Sequence, residues 1–111
     1  MEHEEQVYHV IVAQAVNDRM AGHFEFLARV SENAATRLLE NLLKDIHSLE
    51  TMPYRNPIYE RPYLPQGKYR YMISCNRYLI VYRINDEYVF VDDIQDSRQD
   101  DDKSLLNDIT V

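Results

Sequence analysis

Tyr78-Leu79-Ile80-Val81-Tyr82-Arg83-Ile84 is the stretch that decides the fold of this 111-residue chain. Its β-branched and aromatic residues are typical of a strand, and apolar side chains occupy both alternating faces. Such a two-sided pattern is expected at the centre of a sheet, where both faces are covered. Tyr78, Ile80, Tyr82 and Ile84 are predicted to share one face, with Leu79, Val81 and Arg83 on the other.

The residues around this strand predict a three-stranded antiparallel meander. Strands are expected at about 68–75, 77–84 and 88–94, joined by tight turns at Cys75-Asn76 and Asn85-Asp86-Glu87. In the first strand Tyr69, Tyr71 and Ile73 alternate with Arg70, Met72 and Ser74. We expect the Tyr/Ile faces of the first two strands to pack under a helical layer. Arg70 and Arg83 would then lie together on the opposite face, on a partly apolar floor.

The N-terminal half predicts a strand followed by two helices. Residues 8–13 form a short β-branched run, and Asn17 and Asp18 offer a helix N-cap. Ser31 offers the N-cap of a second helix, which Glu32 supports. Helical spacing places apolar side chains on one face of each helix: Met20, Phe24, Leu27 and Val30, then Ala35, Leu38, Leu39, Leu42, Ile46 and Leu49, with Leu43 widening the second face. The expected fold is therefore α+β: an N-terminal strand, an antiparallel helical hairpin and the meander.

Length and composition predict one domain over residues 1–111. Within it we distinguish an acidic N-terminal tail (1–6), a Pro/Tyr-rich loop (53–66) that its four prolines keep irregular, and an acidic C-terminal segment (95–111) in which Leu105, Leu106 and Ile109 pack back. Cys75 is the only cysteine, so we expect no intrachain disulfide and no Cys-based metal cluster. The four histidines are scattered along the chain, and we expect no metal centre and no cofactor. No run is long and apolar enough for a membrane span, and a cytoplasmic protein is expected.

The charge is unevenly distributed along the chain. The net charge is −7, yet residues 53–85 carry six basic residues against Glu60 alone. Seven of the nine tyrosines also lie between residues 54 and 82. A basic and aromatic island of this kind is typical of a surface that contacts an anionic partner. Tyrosine is also a favoured strand residue, so we expect the strand tyrosines to pack in the core.

The order of these elements, read with particular residues, resembles the RelE/ParE superfamily of bacterial type II toxins. The resemblance rests on Ser48-Leu49-Glu50-Thr51-Met52-Pro53, on the Tyr69-Arg70 pair, on the strand at 78–84 and on Arg98-Gln99-Asp100. It covers about residues 7–106. It implies a helical hairpin over a curved antiparallel sheet and a tightly bound antitoxin partner.

Some members of that superfamily cut messenger RNA on the ribosome without a metal, and others inhibit DNA gyrase. The resemblance places Arg70 at the first of two lysines of the cleaving members and Met72 at the second. Leu79 stands at an expected arginine, and Leu105 near an expected C-terminal tyrosine. Arg98 lies at or beside the arginine that follows the last strand. Arg70 and Arg98 are therefore the catalytic candidates, and most of the expected groups are missing.

Several residues of the island, together with Asp100 of the C-terminal segment, are candidates for partner binding. They are Lys68, Arg77, Arg83, Asp100, Tyr54, Tyr59 and Tyr63. Three of the arginines also have a structural interpretation: Arg70 and Arg83 can pair with Asp92, Asp93 or Asp100, and Arg98 with Asp100 can anchor the C-terminal segment. The three loop tyrosines are candidates because a Pro-rich loop buries aromatic rings poorly.

The sequence thus predicts the toxin of a type II toxin–antitoxin pair, blocked by a cognate antitoxin. Its action would be either gyrase inhibition or ribosome-dependent cleavage of messenger RNA. The alternatives are a non-toxic, catalytically decayed protein-binding module on the same fold, and a stand-alone nucleic-acid-binding domain. One further hypothesis is that the acidic C-terminal segment lies over Arg70 and Arg83 and competes with an anionic ligand.

Overall fold

The computed structural model describes residues 6–97 and Leu106. A five-stranded sheet runs in the order β1-β5-β4-β3-β2, with β1 parallel to β5 and the other neighbours antiparallel. The elements are β1 (His9–Val12), α1 (Gln14–Ala28), α2 (Glu32–His47), β2 (Ile58–Tyr59), β3 (Tyr69–Ser74), β4 (Tyr78–Asn85) and β5 (Tyr88–Asp96). The predicted α+β order of strand, helical hairpin and meander is confirmed.

The second helix forms as its sequence predicts. The Ser31 side chain accepts a hydrogen bond from the amide of Ala34 at 3.1 Å, and Glu32 occupies the first turn. These groups satisfy an amide that the helix leaves unpaired and complement the positive end of its dipole. Leu42 and Ile46 are buried on the inner face. Local capping and apolar periodicity therefore agree, which explains why this helix could be predicted.

The first helix begins earlier than predicted, so the N-cap assigned to Asn17 and Asp18 is wrong. Ala13 occupies the cap position without a side-chain hydrogen bond. Its amide still donates to the Val91 carbonyl at 3.0 Å, while its carbonyl accepts from the amides of Val16 and Asn17. Ala13 is the one residue between β1 and α1, and its bond to β5 fixes the point at which the helix begins. Val30, predicted on the apolar face of this helix, lies in the turn after it and is 80% exposed.

The segment predicted as an irregular loop contains short regular pieces. A 3₁₀ turn lies at Pro53–Arg55, and β2 adds a two-residue edge strand to the sheet. Before the loop, α2 ends at His47 and a 3₁₀ turn at Ser48–Glu50 takes the place of the helix predicted to continue through Leu49. Met52 adopts a left-handed conformation between the two turns. The prolines therefore restrict the segment without preventing it from pairing with β3.

The register of β3 against β4 contradicts the predicted faces. Three residues, Cys75 to Arg77, separate the paired Ser74 and Tyr78, and both Cys75 and Asn76 have positive φ. A two-residue turn at Cys75-Asn76 would have placed Tyr71 opposite Ile80 and so kept the Tyr/Ile sets of both strands on one face, as the sequence predicts. The additional residue places Arg70 opposite Tyr82, and a one-residue shift exchanges every side chain between faces.

Two apolar clusters cover the sheet. The hairpin face is the side under α1 and α2, where buried residues of the helices and sheet pack together: Val16, Met20, Leu42, Ile46, Leu49, Tyr78, Ile80, Tyr82, Val89, Val91 and Ile94. The back face is the other side, where Tyr59, Tyr69, Val81 and Leu106 form a smaller cluster. The predicted packing of Leu106 onto the sheet is confirmed, whereas Tyr69 and Tyr71 belong to the back face.

Leu42→Ala should destabilise the protein by about 2–5 kcal/mol, because it removes a buried side chain and leaves a cavity under the hairpin. Leu43→Ala is the matched control, since the neighbouring side chain is 48% exposed and should cost far less. Urea unfolding of both variants measures the difference. Equal losses of stability would contradict the described orientation of α2.

Candidate functional site

Arg70, a catalytic candidate, anchors the Pro-rich segment. Its side chain extends from β3 on the hairpin face, and Nη1 donates to the carbonyls of Asn56 at 2.6 Å and Tyr54 at 3.2 Å. The guanidinium also lies 5.2 Å from the centre of the Tyr54 ring. These contacts hold the segment against the edge of the sheet. The donors on Nη1 thus go to the protein's own backbone rather than to a phosphate.

Arg83 lies on the back face, so the expectation that it lies on the same face of the sheet as Arg70 is wrong. Its Nε donates to Asp92 Oδ2 at 2.7 Å, and its guanidinium stands 4.2 Å from the centre of the Phe90 ring. The Tyr69 hydroxyl donates to the same carboxylate oxygen at 3.3 Å. Burial, followed by the negative charge of Asp92, raises the pKa of Tyr69. The predicted pairing of Arg83 with Asp92 is confirmed.

Arg77 and Lys68 occupy different environments at opposite ends of β3. Arg77 donates from Nε and from a terminal nitrogen to Asp96 Oδ2, at 3.0 and 2.7 Å. Those hydrogen bonds to a buried carboxylate are the main cause of a raised pKa for Arg77. Lys68 is exposed, with Nζ 5.7 Å from the centre of the Tyr69 ring. The two cations therefore do not form one basic patch with Arg70.

The three loop tyrosines differ in exposure. Tyr54 is 58% exposed, as a contact residue requires, but Tyr59 is only 2% exposed, and its hydroxyl accepts a hydrogen bond from Gln95 Nε2 at 2.8 Å. The expectation that the loop could not bury Tyr59 is wrong, because β2 carries it onto the back face. Tyr63 is half-buried, and its hydroxyl has no hydrogen-bond partner among the described residues.

The other residues of the ribonuclease pattern do not complete a site. Met72 packs against the cluster on the hairpin face and Leu79 against the cluster on the back face. Arg98, Asp100 and Leu105 lie outside the described residues, and with them the predicted C-terminal anchor. Among residues 6–97, the arginines of β3 and β4, Arg70 and Arg83, lie on opposite faces of the sheet.

A cavity that the sequence analysis missed lies beside α1. It has a volume of about 390 Å³ and is lined by residues of α1 and of the β4 and β5 ends: Arg19, Gly22, His23, Phe26, Arg77 and Asp96. Arg19 donates to the Ile94 carbonyl at 3.0 Å and lies 3.5 Å from the fully buried Asp93. The sequence contains one sign of this cavity. Its α1 residues, Arg19, Gly22, His23 and Phe26, recur at helical spacing outside the apolar face of the helix.

His23 contributes a titratable group to this cavity. Burial is the main cause that lowers its pKa; Arg77 and Arg19 act in the same direction, and Asp96 opposes them. Nδ1 lies 3.4 Å from the Tyr78 hydroxyl. Among the described residues no group of three or more His, Cys, Asp or Glu side chains could hold a metal ion. No described helix is long and apolar enough to cross a membrane.

The chain was compared with known protein families and curated proteins. The family model for the ParE toxin of the type II toxin–antitoxin system parDE matches residues 10–101. The search among curated proteins gave no match.

Arg70→Met should loosen the segment at residues 53–57, because two carbonyls lose their donor; we expect a cost of about 1 kcal/mol. Faster amide hydrogen exchange of that segment is the readout. Lys68→Met is the control, since Lys68 is exposed and donates no hydrogen bond to the segment. Unchanged exchange in R70M would contradict the anchoring role.

His23→Gln should reduce the loss of stability at acidic pH. Because the folded state lowers the pKa of His23, the unfolded chain gains a proton first as the pH falls below about 6.5. Wild-type stability should therefore fall from that pH down to the lower, folded-state pKa. The urea concentration at the unfolding midpoint, measured between pH 5 and pH 8, should fall less with decreasing pH in H23Q than in the wild type. Parallel curves for the two proteins would contradict it.

Proposed function

The chain belongs to the ParE toxin family of type II toxin–antitoxin systems, and we propose that it arrests bacterial growth by inhibiting DNA gyrase rather than by cutting messenger RNA. In this proposal it acts in the cytoplasm, where both potential targets lie. A cognate antitoxin blocks it until that antitoxin is lost.

The separation of Arg70, a catalytic candidate, from Arg83, the second cation expected on the same face of the sheet, is the observation that carries this proposal. Cleavage of RNA by its own 2′-hydroxyl requires a base, an acid and cations around one phosphoryl group. Arg70 donates to loop carbonyls on the hairpin face, and Arg83 to Asp92 on the back face. One phosphate cannot contact both side chains while the sheet lies between them.

The substituted positions support the same conclusion. Met72 and Leu79 stand where the resemblance to cleaving toxins expects a lysine and an arginine, and each packs against an apolar cluster. One preorganised donor to a developing charge contributes a factor of roughly 10²–10³ in rate. Without two such groups, a chain of this architecture would retain little catalytic power, whereas inhibition by binding requires only a complementary surface.

Inducible expression in a bacterial host tests this function. We expect growth arrest with induction of the DNA-damage response, while transcripts keep intact 5′ ends when mapped at nucleotide resolution. The purified chain should also inhibit supercoiling by purified gyrase. A Leu42→Ala/Ile46→Ala variant, which should not fold, controls for the burden of expression.

Two results would contradict the proposal. New transcript ends within translated frames, dependent on this chain, would show that it cleaves RNA despite the separated arginines. Normal growth at a high level of folded protein would favour the non-toxic binding module on the same fold.

A further inference from the structure

The outer edge of β1 has no neighbouring strand in the part of the chain that the structure describes, because β1 stands at one end of the sheet. The Ala13 amide donates to Val91 of β5, so odd-numbered residues of this segment turn their backbone groups toward β5. Backbone groups alternate in direction along a strand, and those of Val10 and Val12 therefore point away from β5. Two donors and two acceptors, spaced as in a strand, are directed outward.

This edge lacks the features that usually prevent one strand from pairing with another molecule. Such features are prolines, charged side chains, bulges and very short strands. The sequence of β1, His-Val-Ile-Val, contains no proline, lysine, arginine or acid, and its pairing with β5 is unbroken. The opposite edge is protected: β2 has two residues, follows Pro57 and precedes Glu60 and Arg61. The two edges of one sheet thus differ, and only β1 is suited to pairing.

The free part of the edge has clear limits. At one end, the Glu50 carbonyl accepts a hydrogen bond from the Tyr8 amide at 2.8 Å and so occupies the position of a partner strand. At the other end, α1 begins at Gln14. A pairing strand can therefore reach residues 10–12, which is enough for four backbone hydrogen bonds.

Ile11 carries this edge onto the back face. Its two neighbours in β1 pack against the cluster on the hairpin face, so its own side chain lies on the other side and is 43% exposed. Ile11 pairs in register with Phe90, whose ring stacks on Tyr88 with the ring centres 5.9 Å apart. The His9 ring lies 5.5 Å from that of Tyr88. An apolar and aromatic margin of the back face therefore continues to the free edge.

The alternation of donors and acceptors selects the kind of occupant. A nucleic acid offers no such alternation at strand spacing, whereas another β-strand does. A second copy of β1 fits without any other chain: about a two-fold axis at Ile11, Val10 of each copy exchanges two hydrogen bonds with Val12 of the other. Ile11 then faces its own counterpart across the axis, and no like charges oppose each other. One interface satisfies the free edges of both copies.

We propose that this protein forms a two-fold dimer in which the β1 strands of two copies pair antiparallel around Ile11. Two five-stranded sheets then join into one sheet of ten strands. Each copy carries a net charge of −7, so long-range repulsion opposes the pairing and salt, which screens it, strengthens the dimer. The dimer does not depend on the proposed function, and failure of either leaves the other standing.

Sedimentation equilibrium of the purified chain tests the dimer. We expect a dissociation constant in about the micromolar range, as for a small interface, and a lower value as NaCl rises from about 50 to 500 mM. Ile11→Lys places two like charges across the axis and should weaken the dimer by at least about tenfold. Ile73→Lys is the matched control: Ile73 is 62% exposed on β3, away from β1, and its replacement should leave the affinity within about twofold. Thermal unfolding of each variant confirms its fold.

Amide hydrogen exchange locates the interface. Exchange at Val10 and Val12 should slow as the concentration of the wild type rises, because their amides gain acceptors only in the dimer, and it should stay fast in I11K.

Three results would overturn the proposal. The first is a wild type that remains monomeric at about 100 µM in high salt. The second is a dimer that I11K retains, or that I73K loses, since either would place the contact elsewhere. The third is slowed exchange at Val10 and Val12 only after addition of the protein encoded by the adjacent reading frame, which would assign the edge to that partner.

Discussion

The three-residue connection between β3 and β4 is the constraint on which the rest of this structure depends. Cys75 and Asn76 adopt left-handed conformations, and Arg77 completes a loop that pairs Ser74 with Tyr78. Because side chains alternate along a strand, this one register decides which face every residue of β3 occupies. It sends Arg70 to the hairpin face and Tyr69 to the back face, and so divides the basic, tyrosine-rich island into two unrelated surfaces.

The hairpin face uses its polar groups to position the Pro-rich segment. The Tyr82 hydroxyl, buried at the centre of the sheet, donates to the Pro53 carbonyl at 2.6 Å and accepts from Asn56 Nδ2 at 3.0 Å. Burial is the main cause of the raised pKa of Tyr82. With Arg70 on the Tyr54 and Asn56 carbonyls, these bonds satisfy backbone groups that a proline-rich chain cannot pair internally. Arg70 therefore contributes its Nη1 donors to the stability of the fold.

Elements with agreeing local signals could be predicted from the sequence, and those set by long-range pairing could not. Ser31, Leu42 and Ile46 specify α2 through a cap and a periodic apolar face. The two faces of β3 could not be assigned from its residues alone. The set Arg70, Met72 and Ser74 is not polar enough to mark it as the solvent-facing side of the strand. The parallel pairing of β1 with β5 and the edge strand β2 join distant segments, for which sequence periodicity gives no register.

The sequence identified candidate residues for the site, but it could not predict how they are arranged in space. The pairing of Arg83 with Asp92 was anticipated, but the separation of Arg83 from Arg70 depends on a single residue in a turn. The α1 cavity went unnoticed because its arginines come from α1 and from the turn before β4, far apart in sequence. The division of the basic groups between two faces supports the proposal that this toxin acts by binding a target.

The separation of the arginines can be tested directly by a cross-strand NOE measurement on the labelled protein. The Tyr71 amide donates outward to Pro57, so Tyr71 and Val81 form a pair without mutual backbone hydrogen bonds, in which the two Hα atoms lie close. The account predicts a strong Hα–Hα NOE between Tyr71 and Val81. A strong Hα–Hα NOE between Tyr71 and Ile80 would instead signal the two-residue turn, which places Arg70 and Arg83 on one face, and would contradict it.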